Sequence, residues 1–171
     1  MSSNNRTVIA SPAPPVSETS AEMSELEFGL IVASNAFHRW ITHGMSAAGL
    51  KDLMPLDVIV LHQVSHRARN KRLSDICFLM NVEDTHLVSY SLKKLQNLGV
   101  VQAHKNGKEV TYCTTDSGLE YVRRYREIRE TCLIGSHLSD QKHNAELAEL
   151  VKTLRMLSGT YDQAARSAAS L

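Results

Sequence analysis

A short run of polar side chains between Thr85 and Lys93 has the spacing of one helix face. The set is Thr85, His86, Ser89, Tyr90 and Lys93, and apolar residues at Val88, Leu92 and Leu95 alternate with it. If the apolar residues, at steps of three and four, face the core, the polar set faces solvent. Hydroxyl, imidazole and ammonium groups on one helix face can bind base edges and phosphates. The chemistry expected of this face is recognition of a polyanion.

Basic residues are concentrated in the same part of the chain. The 171 residues carry a formal net charge of +1, but residues 67–126 contain eleven basic and six acidic residues. Ordinary solvated surfaces also reach such a balance, so charge alone does not identify the partner. Phosphate contacts set affinity and register rather than sequence choice. The candidates for such contacts are Arg69, Arg72, Lys94, Lys105 and Lys108.

Local signals place the polar face on the second helix of a pair. Pro55 suits the first turn of a helix, because its missing N–H would have no partner there. Ser74 is the expected cap of a short helix over Asp75–Met80, and a turn follows. The next helix is expected from about Asp84 to Leu98, since Gly99 suits a left-handed cap.

A hairpin is predicted directly after this helix pair. Extended runs over Val100–His104 and Glu109–Thr114 are joined through Lys105-Asn106-Gly107-Lys108, and Asn-Gly between extended runs is a strong hairpin signal. The order of elements is that of a winged helix-turn-helix in a mainly α fold with a small β-hairpin wing. In that arrangement the 84–98 helix enters the major groove, about 12 Å wide, and the 104–109 wing contacts flanking DNA.

Helices that flank this module carry apolar residues outside it. Pairing with a second copy would cover them and would space two 84–98 helices about 34 Å apart, one turn of DNA. An intramolecular helical bundle in a monomer is the alternative. The candidate dimerisation residues are Leu30, Phe37, Leu147, Leu150, Leu154 and Leu157.

On these grounds the chain divides into four parts. Residues 1–17 are rich in Ser, Asn, Ala and Pro and predict a mobile N-terminal arm. We expect an N-terminal dimerisation helix over 18–50, a winged helix-turn-helix module over 55–125 and C-terminal dimerisation helices over 126–171. A hydrophobic content of 43% is enough for one compact domain with an arm or tail.

Several stretches resemble the MarR family of bacterial regulators. They are Leu73-Ser74-Asp75-Ile76, the run from Leu87 to Leu95, and Leu98-Gly99-Val100-Val101. Thr114-Thr115-Asp116-Ser117-Gly118 looks like the family's strand-to-helix step, with Thr114 in place of the usual Leu. The resemblance covers about residues 55–125. It implies a triangular α/β dimer that binds a short pseudo-palindrome, usually as a repressor relieved by a small ligand or oxidant.

The wing departs from that family pattern. MarR wings usually carry an Asp-x-Arg whose arginine enters the minor groove, whereas residues 104–108 read His-Lys-Asn-Gly-Lys. Lys105 and Lys108 are the candidate replacements.

The fold that the resemblance implies also has a crevice between the dimer helices and the DNA module. Its candidate lining is Trp40, His43, Met54 and His62, which would suit an aromatic or phenolic effector.

Other chemistry has weaker support. His62 and His66 lie one helical turn apart and could share zinc, but no carboxylate or cysteine near them in sequence completes a site, so we predict no metal and no cofactor. Three widely spaced cysteines fit no disulfide framework and indicate a reducing, cytoplasmic setting. A redox switch at Cys132 is a further hypothesis.

Motifs of catalysis, secretion and membrane insertion are missing from the sequence. There is no G-x-S-x-G, no phosphate-binding loop, and no apolar run near the roughly 20 residues that cross a bilayer. We therefore predict a non-enzymatic, sequence-specific DNA-binding transcription regulator. It would act as a homodimeric repressor on a pseudo-palindromic operator. The alternative is a winged-helix protein-interaction module without specific DNA binding.

Overall fold

The structure is a computed structural model that describes residues 21–135 and 141–171. The predicted arm over 1–17 and the predicted start of the first helix at residue 18 lie outside the described residues. The elements are α1 (Ala21–Ala47), α2 (Pro55–Ser65), a 3-10 turn (His66–Ala68), β1 (Lys71–Arg72), α3 (Leu73–Met80), α4 (Thr85–Asn97), β2 (Val101–Asn106), β3 (Glu109–Thr114), α5 (Asp116–Arg129), a π-helical turn (Glu130–Ile134) and α6 (Gln141–Ala168).

The predicted fold class, mainly α with a small β wing, is confirmed. The chain forms two compact units, one up to Val122 and one from Arg123 onwards, so their boundary falls within α5. In the first unit α2 packs against α4, α1 packs against α2, and α3 packs against α4. None of the described helices is long and apolar enough to cross a membrane.

The core of the first unit is aliphatic. Val88, Leu92 and Leu95 of α4 are completely or almost completely buried, as their spacing predicted. Because this stripe fixes which side of α4 faces inward, it also fixes which side faces solvent. The neighbouring elements contribute Met45, Val58, Leu61, Val64, Ile76, Val100 and Val122 to the same buried set.

The start of α3 differs from the prediction. Ser74 is not the cap; it lies inside the first turn, because the helix begins at Leu73. The carboxylate of Asp75 accepts a hydrogen bond from the Arg72 N–H at 3.2 Å, which satisfies a backbone donor ahead of the helix. The side chain three residues into the helix therefore sets its start.

The sheet has one strand more than the predicted hairpin. Its order is β1-β3-β2, all antiparallel, and Lys71 and Arg72 of β1 pair with Tyr112 and Thr111 of β3. The hairpin turn is tighter than predicted, since Asn106 already pairs with Glu109. Gly107 has φ +60°, which the left-handed region allows to glycine at little cost.

The step from β3 to α5 is held by one threonine and one glycine. The Thr115 hydroxyl donates to the Gly99 carbonyl at 2.7 Å and accepts from the Gly118 N–H at 3.1 Å. The Thr115 N–H also donates to the Val100 carbonyl. This region carries the threonine and glycine of the strand-to-helix motif, so the motif has a structural reason: it joins the end of α4 to the start of α5.

Candidate nucleic-acid interface

Tight local geometry separates α3 from α4. Asn81 ends α3 in the left-handed conformation (φ 52°, ψ 44°), and its N–H bonds to the last carbonyls of that helix. Asp84 then caps α4, since its side chain accepts from the His86 N–H at 2.9 Å. A helix-turn-helix follows directly from these two caps, because they stop one helix and start the next within four residues.

All five residues predicted to face solvent on α4 are exposed. We call this surface the α4 polar face: Thr85, His86, Ser89, Tyr90 and Lys93. Tyr90 exposes 74% of its surface, more than the other large apolar or aromatic side chains of α4. Leu87 is also exposed on this helix, and the sequence interpretation did not include it. A surface of this kind offers donors, acceptors and one apolar side chain to a groove.

Lys94 has a different role from the one predicted. Its ammonium donates to the Asp57 carboxylate at 2.7 Å and to the Asp52 carbonyl at 2.7 Å. The side chain is about two thirds buried in this ion pair. A phosphate contact would have to compete with a short bond to a buried carboxylate, so we assign Lys94 to the support of α4.

Asp57 is the centre of a small buried network. It is 2% exposed, and its carboxylate also accepts from the Ser91 hydroxyl at 2.7 Å and from the Met54 N–H at 2.9 Å. Three donors therefore converge on this carboxylate, between the start of α2 and the middle of α4. Sequence reasoning missed this network; its signal was an acid within the otherwise apolar 55–61 segment.

The other four candidates for phosphate contacts are all exposed. Lys105 and Lys108 lie on the wing, Arg72 lies in β1, and Arg69 lies just before β1. Arg72 forms an exposed ion pair with Glu109, which pins β1 to β3 but leaves the guanidinium accessible. Lys71 beside it is buried and donates to the carbonyl oxygens of Val64 and His66. Burial, with Arg69 and Arg67 nearby, lowers the pKa of Lys71.

The four candidate crevice residues differ in exposure. Trp40 and His62 are half-buried on α1 and α2, which pack together, whereas His43 is exposed. Met54 is 65% exposed, just ahead of α2. Only Trp40 and His62 therefore have the burial that a ligand-lining side chain needs, and the crevice stays a prediction.

Within the described ranges, no three His, Cys, Asp or Glu side chains come together in a way that could hold a metal ion.

The three cysteines lie in different environments. Cys77 is buried in α3, and this burial raises the pKa of its thiol. Cys113 is half-buried on β3 and Cys132 is exposed in the π-helical turn.

Comparison with known proteins agrees with this geometry. A family model described as a winged helix DNA-binding domain matches residues 53–118. Solved structures match over most of the chain, and one of them is MarR of E. coli in its oxidised form. MarR is 17% identical, the match covers 75% of this chain and 93% of MarR, and the TM-score is 0.60. The chain is a winged-helix protein with the MarR fold.

Two further structures with related folds extend the comparison. AbfR of Staphylococcus epidermidis is 16% identical, with 84% of this chain and 95% of AbfR covered and a TM-score of 0.68. CouR of Rhodococcus jostii, solved with p-coumaroyl-CoA bound, is 13% identical, with 80% and 94% covered and a TM-score of 0.60. The comparison with curated protein sequences found no match. At these identities, the MarR fold is what the likeness establishes.

Proposed function

We propose that this protein is a sequence-specific DNA-binding transcription regulator that acts as a homodimer. The α4 polar face reads base edges in the major groove, and the wing lysines, Lys105 and Lys108, contact flanking DNA. As the resemblance implies, it acts as a repressor on a pseudo-palindromic operator. Its target is genomic DNA, so a cytoplasmic location and the absence of catalysis belong to the same proposal.

The single observation that carries the proposal is the exposure of the whole α4 polar face over a buried aliphatic stripe. Such a helix can enter a groove without moving its core contacts. The Asp84 cap and the Asp57 network hold the helix at both its start and its middle. Pre-organisation of this kind reduces the entropy cost of binding.

Exposed apolar side chains on the flanking helices support the homodimer. Phe37 of α1 is 52% exposed, and Leu147, Leu150 and Leu154 of α6 are exposed as well. Large apolar side chains repeated along one helix face mark an interaction surface. A second copy is the partner we propose, since twofold symmetry would present two α4 helices to a pseudo-palindrome. Leu157, the fourth leucine of α6 predicted to form the dimer, is buried within the single chain and so is not part of this exposed surface.

A small aromatic effector completes the proposal. CouR, which has the same fold, was solved with a phenolic acyl-CoA. The residues we assign to an effector site here are Trp40 and His62 on the packed helices α1 and α2, with His43 and Met54 at its edge. An indole ring and an imidazole suit stacking and hydrogen bonding with a phenol.

Fluorescence anisotropy with genomic duplex DNA tests the docking. Lys93→Ala and Lys108→Ala should each weaken binding, and the salt slope should fall by about one for each lost phosphate contact. Lys152→Ala is the matched control, because Lys152 is an exposed lysine of α6 outside the proposed interface. If both interface variants bind as the control does, the docking is wrong.

A second candidate function is a protein-interaction module that does not bind specific DNA. One observation favours it: Phe78 and Leu79 of α3, the first helix of the helix-turn-helix, are 86% and 59% exposed. An apolar pair of this size suits a protein partner better than a phosphate backbone. Equal, weak binding to every duplex, together with loss of a protein partner in Phe78→Ala, would support this alternative.

A further inference from the structure

Three side chains with complementary chemistry share one face of the sheet. Residues paired across antiparallel strands point to the same side, so Gln102 and Cys113 are neighbours. His104 lies two residues further along β2 and therefore on the same face. The Cys113 Sγ lies 3.2 Å from His104 Nε2. The Gln102 amide N–H donates to the same sulfur at 3.3 Å. The thiol thus contacts both a donor and a group that can accept its proton.

A cavity of about 210 Å³ lies beside this thiol. Val64 and Leu119 give it apolar walls, and Arg69 contributes a cation. Cys113 is itself one of the residues that line the cavity. The combination of apolar wall, cation and thiol suits a molecule with a short carbon chain and a polar carbonyl oxygen.

We propose that Cys113 is a covalent modification site for small α,β-unsaturated carbonyl compounds, with His104 as the group that accepts the thiol proton. The proposal does not depend on DNA binding, because it concerns a reaction of the free protein. It also differs from the hypothesis at Cys132, which stands on another element.

The reaction is a conjugate addition that needs no oxidant. His104 Nε2 accepts the thiol proton, and the sulfur forms a bond to the β-carbon of the carbonyl compound. The electron pair of the carbon–carbon double bond moves towards the carbonyl oxygen, where the charge of Arg69 stabilises the enolate. The imidazolium then returns the proton to the α-carbon. The product is a thioether, and His104 ends in its starting state.

The other two cysteines provide internal controls. Cys77 is buried, and the raised pKa of its thiol disfavours the nucleophilic thiolate. Cys132 is more exposed than Cys113, since it lies on the surface of the π-helical turn whereas Cys113 is half-buried on β3. If exposure alone decided the reaction, Cys132 would be modified first; if the imidazole and cavity decide it, Cys113 would be.

Peptide mass spectrometry after limited reaction with methyl vinyl ketone tests the proposal on the full chain. We expect Cys113 to react about tenfold faster than Cys132, and His104→Gln to slow only Cys113 by a similar factor. Butanone, which lacks the double bond, should give no adduct. Cys77 should stay unmodified, which reports that each protein is folded.

Two results would overturn the proposal. One is modification of Cys132 in the wild-type chain as fast as Cys113, which needs no variant and so holds even if a variant misfolds. The other is an unchanged rate at Cys113 in His104→Gln while Cys77 stays protected. Neither result would bear on DNA binding, which the anisotropy experiment measures separately.

Discussion

At the scale of single residues, Asp57 does more than cap a helix. Its carboxylate joins the Met54 backbone to Ser91 and Lys94 of α4, with bonds of 2.7 to 2.9 Å. A buried carboxylate is costly unless its charge is paired and its lone pairs are occupied, and here both conditions are met. The network therefore ties the position of the α4 polar face to the start of α2.

Asp57→Ala tests this coupling. Removal of the carboxylate leaves the Ser91 hydroxyl and the Lys94 ammonium without their shared acceptor, so we expect a loss of about 2–4 kcal/mol in the free energy of unfolding. Asp75→Ala is the matched control, because Asp75 accepts from a backbone N–H at the same helical position but is exposed. That variant should lose about 1 kcal/mol. Urea titration gives both values.

Equal losses in the two variants would show that Asp57 acts only as a cap.

The sequence could predict the exposed α4 polar face, because an aliphatic stripe at helical spacing decides it. It could not predict the fate of Lys94. A lysine in a basic region fits a phosphate contact equally well until the fold brings residue 57, far away in sequence, within 2.7 Å of it.

At the scale of elements, helix boundaries were predictable where a residue type dictates backbone conformation. Pro55 starts α2, and Gly99 follows α4 with φ +71°. The strand β1 was not predictable, because it is two residues long and exists only through its pairing with β3. The prediction that Ser74 caps α3 was wrong because Ser74 and Asp75 are adjacent and either type of side chain can start a helix. In the structure it is Asp75 that accepts the hydrogen bond from the Arg72 N–H.

Gly118 shows how close the elements approach each other. A methyl group at this position would overlap the Val100 carbonyl oxygen and lie 2.6 Å from the Thr114 Cγ2. We expect Gly118→Ala to destabilise the protein by about 3 kcal/mol or more, since a backbone atom has to move. The mid-helix Gly29 has nothing within 4 Å, so Gly29→Ala should stabilise it by up to about 1 kcal/mol.

Thermal unfolding followed by circular dichroism compares the two variants directly. Opposite signs of the change in Tm are expected. A Gly118→Ala protein as stable as the wild type would mean that β3 and α5 can separate without cost. It would contradict the conclusion that the close approach at this strand-to-helix step requires glycine.

At the scale of the whole molecule, the sequence predicted the fold but not which surface each flanking helix covers. A single chain contains one half of any dimer interface, so periodicity indicates an apolar stripe without naming its partner. Leu147, Leu150 and Leu154 remain exposed within the chain, which is what an unpaired half would look like. The domain limits predicted over 18–50, 55–125 and 126–171 likewise stay predictions.

Leu150→Glu tests the homodimer. A charge in the centre of an apolar interface costs several kcal/mol to desolvate, so the variant should sediment as a monomer at concentrations where the wild type is a dimer. Lys152→Glu is the control on the opposite side of α6, where Lys152 forms an exposed ion pair with Glu149. A monomeric wild type would contradict the homodimer, and a dimeric Leu150→Glu would contradict the place of Leu150 in its interface.

Selection of bound duplexes from a random library tests the central claim most directly, because it requires base reading, dimerisation and docking at once. The account predicts enrichment of a pseudo-palindrome whose half-sites are centred about 10 base pairs apart, and a changed half-site when Ser89→Ala or Tyr90→Ala is used. Failure of the wild-type protein to enrich any sequence, at salt concentrations where it still binds the duplexes, would contradict it.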